Sequence, residues 1–297
     1  MLLVPLHKMS MPLSSITLVN VERVPLSLCC SGGTALNLNF IECPFQCDVC
    51  PWEANLSRRS AELINARVSD IIELIHKYHP DVVMLHGGEH YASKEVIQIL
   101  KEVRNNYSGI IGIKANISRI IYMERHFKEL LQYIDLILIE FVDTTLRQDI
   151  YKDMQSILDF LQAMATRKYV EIVAIATSIN GVESLTNTIT TLKDLLTSFL
   201  IPVNWIFLKP ISLSHKLNTL NKIRNFNIIT QAPFESSIEI ASTLCISCKN
   251  PIIVRQGGHL IKLSINYDGT CKYCGRKYKG FKYPKKLIRI PLEIQVL

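Results

Sequence analysis

Along residues 35–208, short apolar runs alternate with longer stretches whose apolar positions recur every three or four residues. The runs at 35–41, 81–85, 109–114, 135–141, 170–176 and 203–208 read as strands. Between them, residues 60–78 carry Ile64, Val68, Ile71 and Ile75 at helical spacing, and 93–105 carry Val96, Leu100 and Val103. Residues 149–167 place Ile150, Met154, Ile157, Leu161 and Met164 on one face, and further helical stretches fall at 124–133 and 182–199. Six strand–helix units predict an α/β fold with a parallel sheet and helices outside it. The strands have few polar breaks, as a sheet buried on both faces requires. The pattern alone fits a partial (β/α)6 barrel and an open doubly wound sheet equally. Residues 210–243 show no clear alternation and read as a closing connector, with a short helix at 236–243.

The loops after these runs carry the chemistry. Cys43, Cys47 and Cys50 stand at CxxxCxxC spacing directly after the first strand. Three thiolates leave one iron of a [4Fe–4S] cube without a protein ligand, whereas storage clusters and structural zinc sites use four ligands. The alternative, accidental spacing of buried free cysteines, sits poorly with Pro44, Gln46 and Asp48 in the same loop. Downstream, Gly87-Gly88-Glu89 follows the second strand. His86 to His90 also fits HxxEH, the inverted zinc-protease pattern, which needs a helix to face both histidines to one metal.

With these residues in place, the chain resembles the radical S-adenosylmethionine (SAM) enzymes, through Cys43-Pro-Phe-Gln-Cys47-Asp-Val-Cys50 and Gly87-Gly88-Glu89. The resemblance implies a partial barrel of TIM-like type with its site at the carboxyl ends of the strands. It assigns the [4Fe–4S] cluster to Cys43, Cys47 and Cys50, and the seat of SAM to Gly87, Gly88 and Glu89. Reductive cleavage of SAM to a 5′-deoxyadenosyl radical is the implied activity, fed by a reductant protein such as a ferredoxin or flavodoxin. Val49 replaces the family's aromatic residue and His90 its proline. Glu140-Phe141-Val142 stands where relatives carry Asp-x-Lys, and Lys209 stands where they often carry histidine. Glu140, Lys209 and Asn116 are therefore the further expected SAM contacts.

A second cluster lies near the end. Cys245-x-x-Cys248 and Cys271-x-x-Cys274 are 22 residues apart, a spacing that reads as a zinc site. Runs at 252–254 and 260–263, turned by Gln256-Gly257-Gly258, predict a hairpin between the knuckles, and Asp268-Gly269 a tight turn. Gly275 is expected where the last knuckle needs room. Zinc, or an auxiliary iron–sulfur cluster, is the expected occupant. This tail resembles pyruvate formate-lyase-activating-enzyme-like proteins, and more narrowly the AmmeMemoRadiSam-system radical SAM proteins; the resemblance spans residues 35–283.

The chain of 297 residues divides on this reading into an N-terminal extension (1–34), a core with connector (35–243), a four-cysteine zinc-ribbon-like hairpin domain (244–283) and a basic tail (284–297). Net charge is +7, yet residues 272–289 hold eight Lys or Arg and no acid, so the remainder is close to neutral. Tyr273, Tyr278, Phe281 and Tyr283 interleave with these cations, a composition that suits phosphate backbones, acidic proteins or plain solvation. Lys8, Glu22 and Arg23 argue against a signal peptide. No apolar run approaches the ~20 residues needed to span a membrane. A cytoplasmic location is expected, since an open cluster needs a reducing compartment. Adjacent Cys29 and Cys30 read as small buried hydrophobes. The functional expectation is a radical SAM enzyme acting on a protein or other macromolecule. RNA modification and a non-catalytic, metal-bearing nucleic-acid adaptor are the alternatives.

Overall fold

The computed structural model describes residues 10–41, 43, 64–89, 94–121, 124–144, 154–285, 287 and 294–296. Its centre is a sheet of β2 (Thr34–Phe40), β4 (Val82–Gly87), β5 (Ile110–Asn116), β6 (Leu136–Val142), β7 (Tyr169–Ala176), β8 (Val203–Phe207) and the short β9 (Thr230–Gln231). These seven strands are parallel and neighbour one another in chain order. A doubly wound sheet reverses its strand order at a switch point; this one does not. All residues of β2, β4, β5 and β6 are buried, because both faces are covered.

One face packs against the helices: α1 (Val68–Tyr78), α2 (Lys94–Asn106), α3 (Ile117–Ile120), α4 (Glu124–Leu130), α5 (Met154–Ala165), α6 (Ile179–Thr191), α7 (Lys193–Phe199), α8 (Leu213–Arg224) and α9 (Ile238–Ala241). Leu36, Leu38, Ile111, Ile113, Ile137, Ile139 and Trp205 point to this side. The alternate residues, among them Val82, Met84, Leu136, Leu138, Val173 and Ile175, form a second core to which no α-helix among the described residues contributes. Val21, Val24, Leu26, Cys29 and Cys30 fill it from the segment that leads into β2. Cys29 and Cys30 are thus buried hydrophobes, their Sγ atoms 3.7 Å apart.

Four elements depart from the periodicity. The segment set apart as an N-terminal extension supplies β1 (Ser10–Asn20), which lies antiparallel on β2 and extends the sheet. Residues 64–67, expected at the start of a helix, form β3 (Ile64–Arg67) because they pair with β1. The helix begins at Val68, where the Asp70 carboxylate accepts the Arg67 backbone N–H at 3.1 Å. Helix α8 lies in the stretch read as connector; only Thr219, Leu220 and Ile223 of it are buried, too few to print a stripe. β13 (Ile294–Gln295) pairs with the outer edge of β1.

The C-terminal hairpin comprises β10 (Thr243–Leu244), β11 (Pro251–Gln256) and β12 (His259–Leu263). Gly257 and Gly258 turn it with φ of +54° and +73°, values that L side chains rarely adopt. From β11, Arg255 enters the core with no exposed surface. Its guanidinium donates to Gln231 Oε1 (2.7 Å), Thr243 Oγ1 (2.8 Å), the Ser27 carbonyl (2.9 Å) and Ser31 Oγ (2.7 Å). Alongside, the buried Glu171 carboxylate accepts from Ser27 N–H and Asn204 Nδ2, both at 2.7 Å. One polar network therefore joins the hairpin, the β1–β2 connection and strands β7 to β9. No described helix is long and apolar enough to cross a membrane.

Candidate functional site

The carboxyl ends of β2 and β4 come together first. Phe40 pairs with Gly87, and the Gly88 N–H donates to the Phe40 carbonyl at 3.2 Å. Gly87 has φ of +88°, and a Cβ there would lie 2.3 Å from the Phe40 oxygen. Only glycine lets the strands meet this closely and turn the next residues inward. Glu89 follows, buried, and both its oxygens accept the Asn116 N–H at the end of β5, at 3.2 and 3.3 Å. Asn116 spends its own Oδ1 on the Ser118 N–H, 2.9 Å away.

The residue that ties this end together is Lys114, which sequence reasoning placed only inside a strand. Its Nζ lies 2.9 Å from Glu140 Oε2 and 3.8 Å from Glu89 Oε1. All three side chains are at least 96% buried. Burial alone would push the Lys114 ammonium's pKa down; Glu140 and then Glu89 outweigh it, so the net shift is upward. Two carboxyl side chains thus flank one buried ammonium at this end of the sheet. Cys43 comes three residues after the end of β2, the strand beside β4.

Of the expected site residues, the structure thus gathers Cys43, Gly87, Gly88, Glu89, Asn116 and Glu140 at one end of the sheet. Cys47 and Cys50 lie outside the described residues. Lys209 is exposed just beyond β8, and no described contact joins it to the triad. The zinc-protease alternative fails. His86 and Gly87 are strand residues, so no helix presents His86 to a shared metal; His90 lies outside the described residues. One signal for Lys114 was available: a single cation in the otherwise apolar run 110–115.

At the hairpin, the Sγ atoms of Cys245, Cys248, Cys271 and Cys274 all lie within 4.8 Å of one another. Cys245 and Cys274 are 3.6 Å apart, and Cys248 and Cys271 are 3.8 Å apart. Four thiolates at ~2.3 Å from one tetrahedral ion would stand ~3.8 Å apart. A cubane spreads its thiolates over four separate irons and would hold them wider. The donor set therefore fits a single ion. Each knuckle closes the same way: Lys249 N–H donates to the Cys245 carbonyl, and Gly275 N–H to the Cys271 carbonyl, both at 2.9 Å. Lys249 and Gly275 both take positive φ, +60° and +74°. Nothing lies within 4 Å of a Cβ at Gly275, so the backbone turn and not lack of room selects glycine, contrary to the sequence expectation. Tyr278 Oη sits 3.0 Å from Cys245 Sγ and accepts the Ile246 N–H at 3.0 Å, an outer support for the first ligand. Hydrogen bonds from Asn250 pull the Cys248 thiol down to about 6.

Residues 31–159 match the family model of a 4Fe–4S single cluster domain. That family occurs in radical SAM-type enzymes, and the match supports an iron–sulfur, radical-SAM-like protein. No curated protein matches the chain. Among solved structures, the N-terminal domain of a protein named as an aldolase from Bacteroides vulgatus aligns at 14% identity and a TM-score of 0.35. The alignment covers 52% of this chain and 50% of that one, so the chain spans about half the length of that relative.

Proposed function

We propose that this chain is a radical SAM enzyme built on a partial barrel, with a zinc ion in its C-terminal knuckles, acting on a protein or other macromolecule. The observation that carries the reading is that Cys43 and the Gly87–Glu89 turn follow the ends of adjacent parallel strands, with Glu89, Lys114 and Glu140 buried together beside them. Cys43, Cys47 and Cys50 would hold the [4Fe–4S] cluster, and the Gly87–Glu89 turn with Glu140 would hold SAM. When bound, these groups supply an electron and a sulfonium whose C–S bond breaks to give a 5′-deoxyadenosyl radical that takes a hydrogen atom from substrate.

The protein's own part is orientation and charge. Glu89, fixed by the Asn116 N–H, offers a carboxylate to an ammonium group. Lys114 holds Glu140 beside it and keeps two buried carboxylates from repelling. In relatives the cation of Asp-x-Lys comes two residues after the acid; here Val142 occupies that place and the neighbouring strand supplies Lys114 instead. The apolar wall of Met84, Leu138 and Val142 excludes water from the same face.

The test is anaerobic reconstitution with iron and sulfide, followed by SAM and a low-potential reductant. Formation of 5′-deoxyadenosine that disappears in Cys47→Ala supports the reading. A full cluster that leaves SAM intact overturns it in favour of a non-catalytic, metal-bearing adaptor.

A further inference from the structure

At the opposite end of the sheet, a cleft of about 870 Å³ opens between the amino ends of β6 and β7 and the four-cysteine hairpin. Arg167 and Lys168 line it from the sheet side, and Arg276, Lys279 and Lys282 from the hairpin side. Among the described residues Asp135 is its one lining acid, and Arg104 already pairs with it. Lys168 donates to the Ile134 carbonyl at 2.6 Å and is half-buried. The other four cations are exposed, and no ion pair joins them to a carboxylate among the described residues.

The two walls are fixed relative to each other. Gly280, φ +81°, lies so close to the Tyr169 ring that a Cβ would come within 2.1 Å of it. The Cys30 N–H donates to the Lys282 carbonyl at 3.0 Å. Beside Lys282 runs an aromatic row: Phe281 meets Tyr283 edge-on at 6.1 Å, and Tyr283 meets Tyr267 at 5.3 Å. Tyr267 is 83% exposed.

We infer that this cleft binds single-stranded nucleic acid, with its phosphates between the four free cations and unpaired bases on the Tyr267–Tyr283 row. Tyr267, exposed beside a run of cations, offers a ring face on which an unpaired base can stack while the phosphates meet the cations. The inference concerns a surface remote from the strand-end site and stands whether or not SAM is cleaved there.

Its test is fluorescence anisotropy of the full, metal-loaded chain with a labelled single-stranded RNA 15-mer across a salt series. Four phosphate contacts give a slope of log affinity on log salt of about −3, since single strands lose ~0.7 per contact. Arg276→Glu with Lys279→Glu should weaken binding at least ~10-fold and reduce the slope by ~1.4. Arg167→Glu on the far wall, which leaves the hairpin untouched, should weaken it as well. Tyr267→Ala should weaken binding with the slope unchanged. Lys222→Glu, on α8 away from the cleft, should change nothing. Equal affinity in the double variant and in Arg167→Glu would overturn the inference. Displacement of RNA by polyglutamate as readily as by unlabelled RNA would overturn it in favour of an acidic protein, and equal binding of duplex RNA would remove the single-strand assignment.

Discussion

Lys114 on β5 reaches across to Glu140 on β6, Nζ to Oε2 2.9 Å, with both side chains at least 97% out of water. A buried pair of this kind is not strong evidence of stability, but breaking it is costly, because a buried charge loses its counter-ion. Lys114→Met should therefore destabilise the chain by about 3–5 kcal/mol, and Lys114→Met with Glu140→Gln by clearly less. Urea unfolding of the single and double variants measures the difference. The sign with pH follows from the upward shift at Lys114: its folded pKa exceeds the ordinary value of 10.5. The stabilisation is complete below the unfolded pKa and is lost only as pH rises through the folded one. The wild-type midpoint should therefore show no pH dependence from this group below about pH 9, and fall in strongly alkaline buffer.

Gly87→Ala tests whether the glycine shapes the site or merely permits it. The left-handed backbone would cost ~1–2 kcal/mol for an L residue, and the contact with the Phe40 carbonyl a further ~1–3 kcal/mol. The melting point should drop, and 5′-deoxyadenosine yield should fall more than stability does, because Glu89 is carried on the same turn. Gly275→Ala, with the same φ sign but open space, should cost only the backbone part. Equal losses in the two variants would refute the close-approach account.

How much of this was written in the chain depends on which residues one follows. The six long parallel strands were legible because they are largely buried on both faces and print apolar runs with few polar breaks. The knuckle cysteines were legible because a metal demands fixed spacing. Ile64–Arg67 was not, since four residues become a strand only through pairing with β1. Lys114 was hidden for a related reason. Nothing local says that it faces Glu140; the register between β5 and β6 does, setting Lys114 against Leu138 and Asn116 against Glu140. Nothing in the sequence around Arg255 marks it as a buried pin; only the tertiary structure reveals that.

Removing the knuckle ion should affect more than the hairpin. Metal analysis of purified protein is expected to give one zinc per chain at the four cysteines, beside the iron of the cluster. Stripping it with a thiol-reactive agent plus chelator, or substituting Cys271→Ser, leaves thiols that repel when ionised and frees the hairpin. Because Arg255 ties that hairpin to Ser27, Gln231 and Thr243, the melting point of the whole chain should fall. Tyr278→Phe should keep the ion but release it faster to a chromophoric chelator, since it removes the hydroxyl beside Cys245. A strand-core melting point indifferent to the ion would show that hairpin and sheet are uncoupled.

Arg255 itself offers the sharpest test of that coupling. Its guanidinium makes four hydrogen bonds and lies 3.9 Å from Glu22 Oε1, with both side chains at most 1% exposed. Arg255→Met should cost about 3–5 kcal/mol, a melting-point loss on the order of 10 °C for a chain of this size. Arg255→Lys should recover little, since a compact ammonium cannot reproduce the planar fork. The pH dependence separates lost packing from stranded charge. Burial already raises the Glu22 carboxyl, and Arg255 is the main group holding it down. Without the arginine its folded pKa rises further above the unfolded value, so the folded state binds that proton more tightly. Stability then recovers as pH falls through the folded pKa and is fully lost above it. The deficit of Arg255→Met should therefore be larger at pH 8 than at pH 5, and Glu22→Gln in the same chain should flatten that difference. A deficit equal at both pH values would mean that packing, not the stranded carboxylate, accounts for the loss.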